Sequence, residues 1–376
     1  MTRHPLASAV IPVLVAALAG LAAITGPAAA QDAPEDPYAE ARAVMAEVEA
    51  IVTPDGIDEL RTVELGGMEQ YVSIRGADRD NPVLLFVHGG PGAPEMGVGW
   101  AFQRPWEEYF TVVQWDQRGA GKTLRHNGEA ASADGLSRDR IIADTVELMA
   151  WLRDHLGQDR IVIVGHSWGS VAGFQAALAR PDWVSAYVGI GQIVDMAENE
   201  RRSHELVLAA ARADGNETAI AELEGIAPYP GDTPVTFERI GTERKWVVHY
   251  GGLAAHRDNA DFYFHAPRLS PLYDRADREA VDAGGLLTVP ALLDDLMAVE
   301  QGDVEAVDFP VVFFAGRHDL TTPSDLVEAW YERLEAPSKD LVWFEHSAHL
   351  APVEEPGHTL VALVEHVLPL TRQDDR

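Results

Sequence analysis

The chain of 376 residues is 47% apolar and 24% charged, enough for a buried core in one large α/β domain carrying an insertion or in two or three average domains, and unlike a disordered chain. Its 60 Asp and Glu against 29 Lys and Arg leave a net charge of −31; such a surface is soluble and repels phosphate, which weighs against nucleic acid or anionic lipid as a partner. There is no cysteine, which excludes disulfides and lipid attachment through an N-terminal Cys.

Arg3 and His4 precede an apolar run over 9–24, followed by Gly26, Pro27 and Ala28-Ala29-Ala30. A basic start, an apolar stretch and small residues make a signal peptide over 1–30, cut after Ala30 to leave Gln31 first. The expected location is secreted or periplasmic, with no stable membrane insertion after cleavage; as an uncleaved spanning helix the run is slightly short. Residues 31–37 read as a solvated leader and 37–52 have the helical spacing of Ala, Val and Met, so 31–58 is a leader and helix.

Apolar, β-rich runs then recur at 71–75, 83–88, 111–115, 160–164, 183–190, 311–315 and 341–344. Most are too uniformly apolar for half-exposed strands and read as buried strands of a mostly parallel sheet. Segments of helical period at 138–156, 170–179, 325–334 and 358–367 alternate with them, which predicts an α/β fold with helices on both faces of a doubly wound sheet. The alternation breaks once: 193–304 turns helical, aromatic and polar, and reads as a cap inserted over the carboxyl edge of the sheet, where ligands bind in open α/β folds. The core is thus 59–192 and 305–376. No segment repeats.

Gly165-His166-Ser167-Trp168-Gly169 follows the strand at 160–164 and precedes a helical stretch, the setting of a nucleophile elbow. A strand turning directly into a helix strains the Ser backbone and crowds its neighbours, so residues two positions to either side must be glycine. A Ser hydroxyl needs a base to take its proton and a carboxylate to orient that base. In folds with this elbow they follow in the order acid then histidine, each beyond a late strand. Asp319 lies past the strand at 311–315 in Gly316-Arg317-His318-Asp319, whereas Asp308 precedes that strand and Asp325 lies on the next helix. His349 lies on the loop past the strand at 341–344; His346 sits almost on the strand and His358 inside the last helix. The alternative of a metal site from His318, His346 and His349 lacks ligand spacing.

The oxyanion of acyl transfer needs donors already in place. One should be the N–H of Trp168, the other a backbone N–H in His88-Gly89-Gly90-Pro91-Gly92, with Gly90 first and Gly89 second. Gly121-Lys122-Thr123 ends like a phosphate-binding loop but has Asp116 where that motif needs Gly, and reads as running on into a loop rather than opening a helix. Asp116-Gln117-Arg118-Gly119 is a structural turn whose Asp and Arg brace neighbouring loops.

Together His88–Gly92, Trp115-Asp116-Gln117-Arg118-Gly119-Ala120-Gly121, Ser167-Trp168-Gly169-Ser170, Gly316–Asp319 and the spacing of His349 to Glu354-Glu355-Pro356 resemble the proline iminopeptidases, or prolyl aminopeptidases, of the α/β-hydrolase superfamily. The resemblance spans about 60–192 and 305–370. It implies an α/β-hydrolase fold, a serine aminopeptidase acting on small peptides without metal or cofactor, and cap carboxylates that bind the substrate's free ammonium. Residues 193–300 hold 20 Asp and Glu against 10 Lys and Arg, and Glu198, Glu200 and Glu205 are the candidates, each set against a solvated helix face. His166 departs from the Gly expected there and Ala93 from a further Gly, and the cap has no substrate motif to align. A carboxylesterase acting on uncharged esters and a receptor-like homologue that binds without turnover remain alternatives. Hydrolases of this fold with an Asp nucleophile are disfavoured by Ser167.

Overall fold

The computed structural model describes residues 36–231 and 234–372; the signal-peptide reading of 1–30 lies outside the described residues. Eight strands form one sheet in the order β1-β2-β4-β3-β5-β6-β7-β8. They are β1 Ile57–Leu65, β2 Met68–Gly76, β3 Val83–Val87, β4 Thr111–Trp115, β5 Ile161–His166, β6 Val184–Ile190, β7 Val311–Gly316 and β8 Lys339–Phe344. The pairs β1/β2 and β2/β4 are antiparallel and all the others parallel. The helices are α1 Ala39–Val48, α2 Gly121–Asn127, α3 Glu129–Ala133, α4 Arg138–Leu156, α5 Trp168–Ala179, α6 Met196–Asp214, α7 Glu217–Gly225, α8 Phe237–His249, α9 Asp261–His265, α10 Arg275–Met297, α11 Ser324–Arg333, α12 Ala351–Glu354 and α13 Pro356–Ala362.

Strands β3 to β7 are buried along their whole length, because both faces of the sheet are covered. On one face Val83, Leu85 and Val87 pack with Leu148 and Leu152 of α4, Phe174 of α5 and Trp330 of α11. On the other, Leu84 and Phe86 pack with Phe102, Trp106, Leu363 and Val367. The period-two alternation along β3 thus serves two separate cores. Helix α4 starts where Ser137 accepts the Arg140 N–H (3.2 Å) and stops at Gly157 with φ +67°.

Two local readings are corrected. The body begins two residues early, with β1, because β1 is an edge strand: only Ile57, Val63 and Leu65 are buried, and its charged residues dilute the strand signal. The stretch after Gly121 does open a helix, α2. No capping residue stands at Ala120; instead Asp116 Oδ2 accepts the Lys122 N–H (2.7 Å) from four residues further back. That carboxylate occupies the place a phosphate would take, so phosphate binding is excluded for this reason rather than for want of a helix.

Between β6 and β7 the described chain is helical, from α6 to α10, and an antiparallel bridge of Asp195 with Glu300 ties its two ends together. Helix α10 lies against the core: Thr288 Oγ1 donates to Pro91 O (2.9 Å), Lys122 Nζ pairs with Asp277 (2.6 Å), and Tyr273 OH, two residues before the helix, donates to Asp116 Oδ2 (2.5 Å). Strand β3 has β4 on one side and β5 on the other, and a crevice at the carboxyl ends of strands that diverge in this way is where an open α/β sheet binds ligands.

Candidate active site

Ser167 follows β5 directly, and α5 starts at Trp168 rather than at the expected 170. Its φ of +55° and ψ of −122° are the backbone of a sharp elbow, and Ser167 is only partly exposed. The flanking glycines are required by close approach. A Cβ on Gly169 would lie 1.8 Å from Val87 O, and one on Gly165 2.5 Å from Gly169 O. Ser170 caps nothing; its Oγ accepts the Ile193 N–H (3.0 Å).

His349 is buried and its Nδ1 lies 2.8 Å from Asp319 Oδ2. Facing a carboxylate, Nδ1 carries the hydrogen, which leaves Nε2 with a free lone pair. Asp319 is itself held: Oδ1 accepts the N–H groups of Thr321 and Thr322 (2.8 Å each), and Oδ2 accepts the Thr322 hydroxyl (2.9 Å). One turn brings this pair to the elbow. Ile190 O accepts the Ser167 N–H (2.9 Å), and the next residue, Gly191, packs against the imidazole so closely that a Cβ there would sit 2.6 Å from His349 Cε1.

The His88–Gly92 turn lies beside the nucleophile. A Cβ on Gly89 would be 3.0 Å from Ser167 Cβ and 3.7 Å from Oγ, whereas one on Gly90, with φ +114°, would meet Gly92 N and Ala93 N at 2.6 Å. Gly89 is therefore the nearer of the two candidates, and the Gly89-Gly90 peptide borders Ser167. Gln117 locks this turn to the elbow: its N–H donates to His88 Nε2 (3.1 Å), its Nε2 to His88 O (2.9 Å), and its Oε1 accepts the Trp168 indole (3.2 Å). Burial pushes the His88 imidazole down to about 4, so the ring is neutral and can accept from Gln117.

The loop of His349 is held from several sides. Glu354 accepts the N–H groups of Ala348 (2.9 Å) and Leu350 (3.2 Å), on either side of His349, and also that of Ala255 (2.6 Å). Leu253 O accepts the His349 N–H (3.2 Å), and Gly252 O accepts the Leu320 N–H and the Thr321 hydroxyl (3.1 Å each). The segment 252–255, which lies between α8 and α9, thus joins the loops of Asp319 and His349. Sequence reasoning missed these supports; the only local signals were the Thr-Thr after Asp319 and the Glu-Glu-Pro after His349.

The three cap carboxylates part company. Glu198, half-buried, and Glu205, exposed, lie on α6 and both pair with Arg201, as on the solvated helix face that was the alternative reading. Glu200 is fully buried, accepting from Asn199 (3.3 Å), Tyr229 OH and Arg244, which also pairs with buried Glu243. Burial first, with the neighbouring Glu200 charge adding to it, pushes Glu243 up to about 7. Among the described residues no group of three His, Asp or Glu side chains has metal-holding geometry.

Residues 82–356 match the family model described as alpha/beta hydrolase fold. The chain is 29% identical over 310 residues to the probable aminopeptidase YbaC of Bacillus subtilis, covering 82% of this chain and 95% of that one. It is 26% identical over 320 residues to the proline iminopeptidase of Neisseria gonorrhoeae, covering 77% and 90%. The crystal structure of the proline iminopeptidase of Mycobacterium smegmatis superposes with a TM-score of 0.58 at 19% identity, over 83% of this chain and 99% of that one, a likeness of fold. An eight-stranded sheet with an elbow serine after its fifth strand, and a family match running from β3 to the start of α13, place this chain in the α/β-hydrolase family.

Proposed function

We propose that this hydrolase works through an acyl-enzyme on Ser167, and that it is an aminopeptidase releasing N-terminal residues such as proline from small peptides. The observation that carries the reading is the buried Asp319–His349 pair, 2.8 Å apart, with its ring against the turn that holds Ser167. Ser167 Oγ attacks the scissile carbonyl while His349 Nε2 takes its proton, and Asp319 stabilises the imidazolium through Nδ1. The oxyanion forms between the N–H of Trp168 and a backbone N–H at Gly89 or Gly90. His349 then protonates the leaving amine, and water, activated by the same ring, releases the acyl group. The chemistry as written needs neither metal nor cofactor. The aminopeptidase step is supported by similarity to relatives of that name along most of their length. The basic, apolar and small-residue pattern of 1–30 supports export to the periplasm or beyond.

A carboxylesterase is the second reading, favoured by the state of the cap: Glu198 and Glu205 are already paired with Arg201, and Glu200 with Arg244. A panel of free and N-acetylated amino-acid amides alongside p-nitrophenyl esters separates the two. The aminopeptidase cleaves the free amides and loses them on acetylation; indifference to acetylation with fast ester turnover assigns the esterase. A shift in melting temperature without turnover of any substrate would support a binding role instead.

A further inference from the structure

His166, the middle residue between Gly165 and the nucleophile, has no part in the mechanism above, yet it is 3% exposed beside it. Both of its ring nitrogens face oxygen acceptors. Nδ1 contacts Glu95 Oε1 and Nε2 lies 3.0 Å from the carbonyl of His349. An imidazole satisfies two acceptors only when both nitrogens carry hydrogen, that is as a cation, and Glu95, also 3% exposed, is the counter-charge. Glu95 in turn accepts from Tyr263 OH (3.5 Å). The rings of His166 and His349 stand 4.9 Å apart between centroids.

We propose that His166, held doubly protonated by Glu95, is a positioning residue for His349: it fixes the His349 carbonyl through Nε2–H and keeps the neighbouring ring in its proton-accepting form. This rests on the reading of His349 as general base. Glu95 and the His349 carbonyl occupy opposite nitrogens, so the buried pair turns its positive end toward His349. A second cation beside it is electrostatically disfavoured. The charges facing this position are Glu95 from the loop after β3, Asp319 on the far nitrogen of His349, and the imidazole of His88, which the His166 charge helps to hold neutral; Tyr263 from α9 adds a hydroxyl. Burial opposes a charged His166, but the Glu95 carboxylate and the His349 carbonyl together raise its pKa.

The test compares wild type, His166→Gln and Glu95→Gln. Gln at 166 keeps a donor for the His349 carbonyl without a charge; Gln at 95 removes the reason for the charge. Second-order inactivation by a fluorophosphonate, followed against pH, should show the acid limb moved upward by about one pH unit in both variants, with a smaller loss on the alkaline plateau. A neutral structural role would lower the rate equally at every pH, and that result, or limbs that coincide with wild type, would overturn the proposal. Should a variant not fold, ring 15N shifts of the native protein decide. One histidine with both nitrogens protonated at pH 7.5, responding to the Glu95 substitution where that variant folds, is expected; the absence of any such ring contradicts the inference. A Ser167→Ala protein that still reacted would refute the acyl-enzyme reading instead, and the ring shifts would still report on His166.

Discussion

At Gly169 the elbow leaves no room for a side chain, since a methyl group there would overlap Val87 O at 1.8 Å. Gly169→Ala should therefore lower the unfolding free energy by about 3 kcal/mol, because backbone rather than a flexible side chain must move. Gly225→Ala, where nothing lies within 4 Å, should be neutral or slightly stabilising. Urea denaturation of the two variants checks the contrast, and equal stability would mean that the elbow is looser than described. The elbow, Asp319 and His349 were legible in the sequence because each follows an apolar strand and obeys a local steric or chemical rule. The supports around them were not. Glu354 reaches Ala255 across 99 residues and His166 reaches the His349 carbonyl across 183, distances over which no periodicity carries information.

Loops, more than strands, set the geometry at the next level. Glu354 holds both N–H groups flanking His349 and one from the 252–255 segment, so Glu354→Gln turns an amide N–H₂ toward at least one donor. A shift of the imidazole by a fraction of an ångström should cut kcat by about 10- to 100-fold with KM nearly unchanged. Initial rates over a substrate range, with thermal unfolding as control, test this; a change confined to KM would place Glu354 in substrate binding. Helix α2 offers a pH test. Burial pushes Asp116 up to about 7, against the hydrogen bonds from Tyr273 and Lys122. A carboxyl whose folded pKa lies above its unfolded value binds more protons folded, so stability falls as pH rises from about 4 to 7. Asp116→Asn should be less sensitive to pH over that window, as read by urea midpoints; parallel curves would contradict the shift. Helix α2 and strand β1 escaped sequence reading for related reasons: the cap of one comes from Asp116 rather than the adjacent residue, and the other is an edge strand with a charged outer face.

Across the whole molecule, cap and core are joined at the chemistry itself. Thr288 of α10 bonds Pro91 O in the turn beside Ser167, and 252–255 bridges the loops of Asp319 and His349. The alternation of strands and helices revealed the sheet and the place of the insertion, but the polar sequence of the insertion gave no hint of which carboxylates are buried. Arg244 is the guanidinium between buried Glu200 and Glu243. Arg244→Met leaves two carboxylates facing each other and should cost about 3 kcal/mol at pH 8. The deficit should shrink as pH falls toward about 7, because Glu243, raised to about 7 even beside Arg244, takes up its proton at a higher pH once the guanidinium is gone. Urea denaturation at both ends of that range reads it directly, and a deficit that does not vary with pH would show that the carboxylates are solvated. The most direct test of the central claim is to treat the protein with a fluorophosphonate and map the adduct by peptide mass spectrometry. One phosphonylated residue, Ser167, is expected, with labelling abolished in Ser167→Ala and slowed by orders of magnitude in His349→Ala; an adduct elsewhere, or undiminished labelling without Ser167, would contradict the acyl-enzyme mechanism.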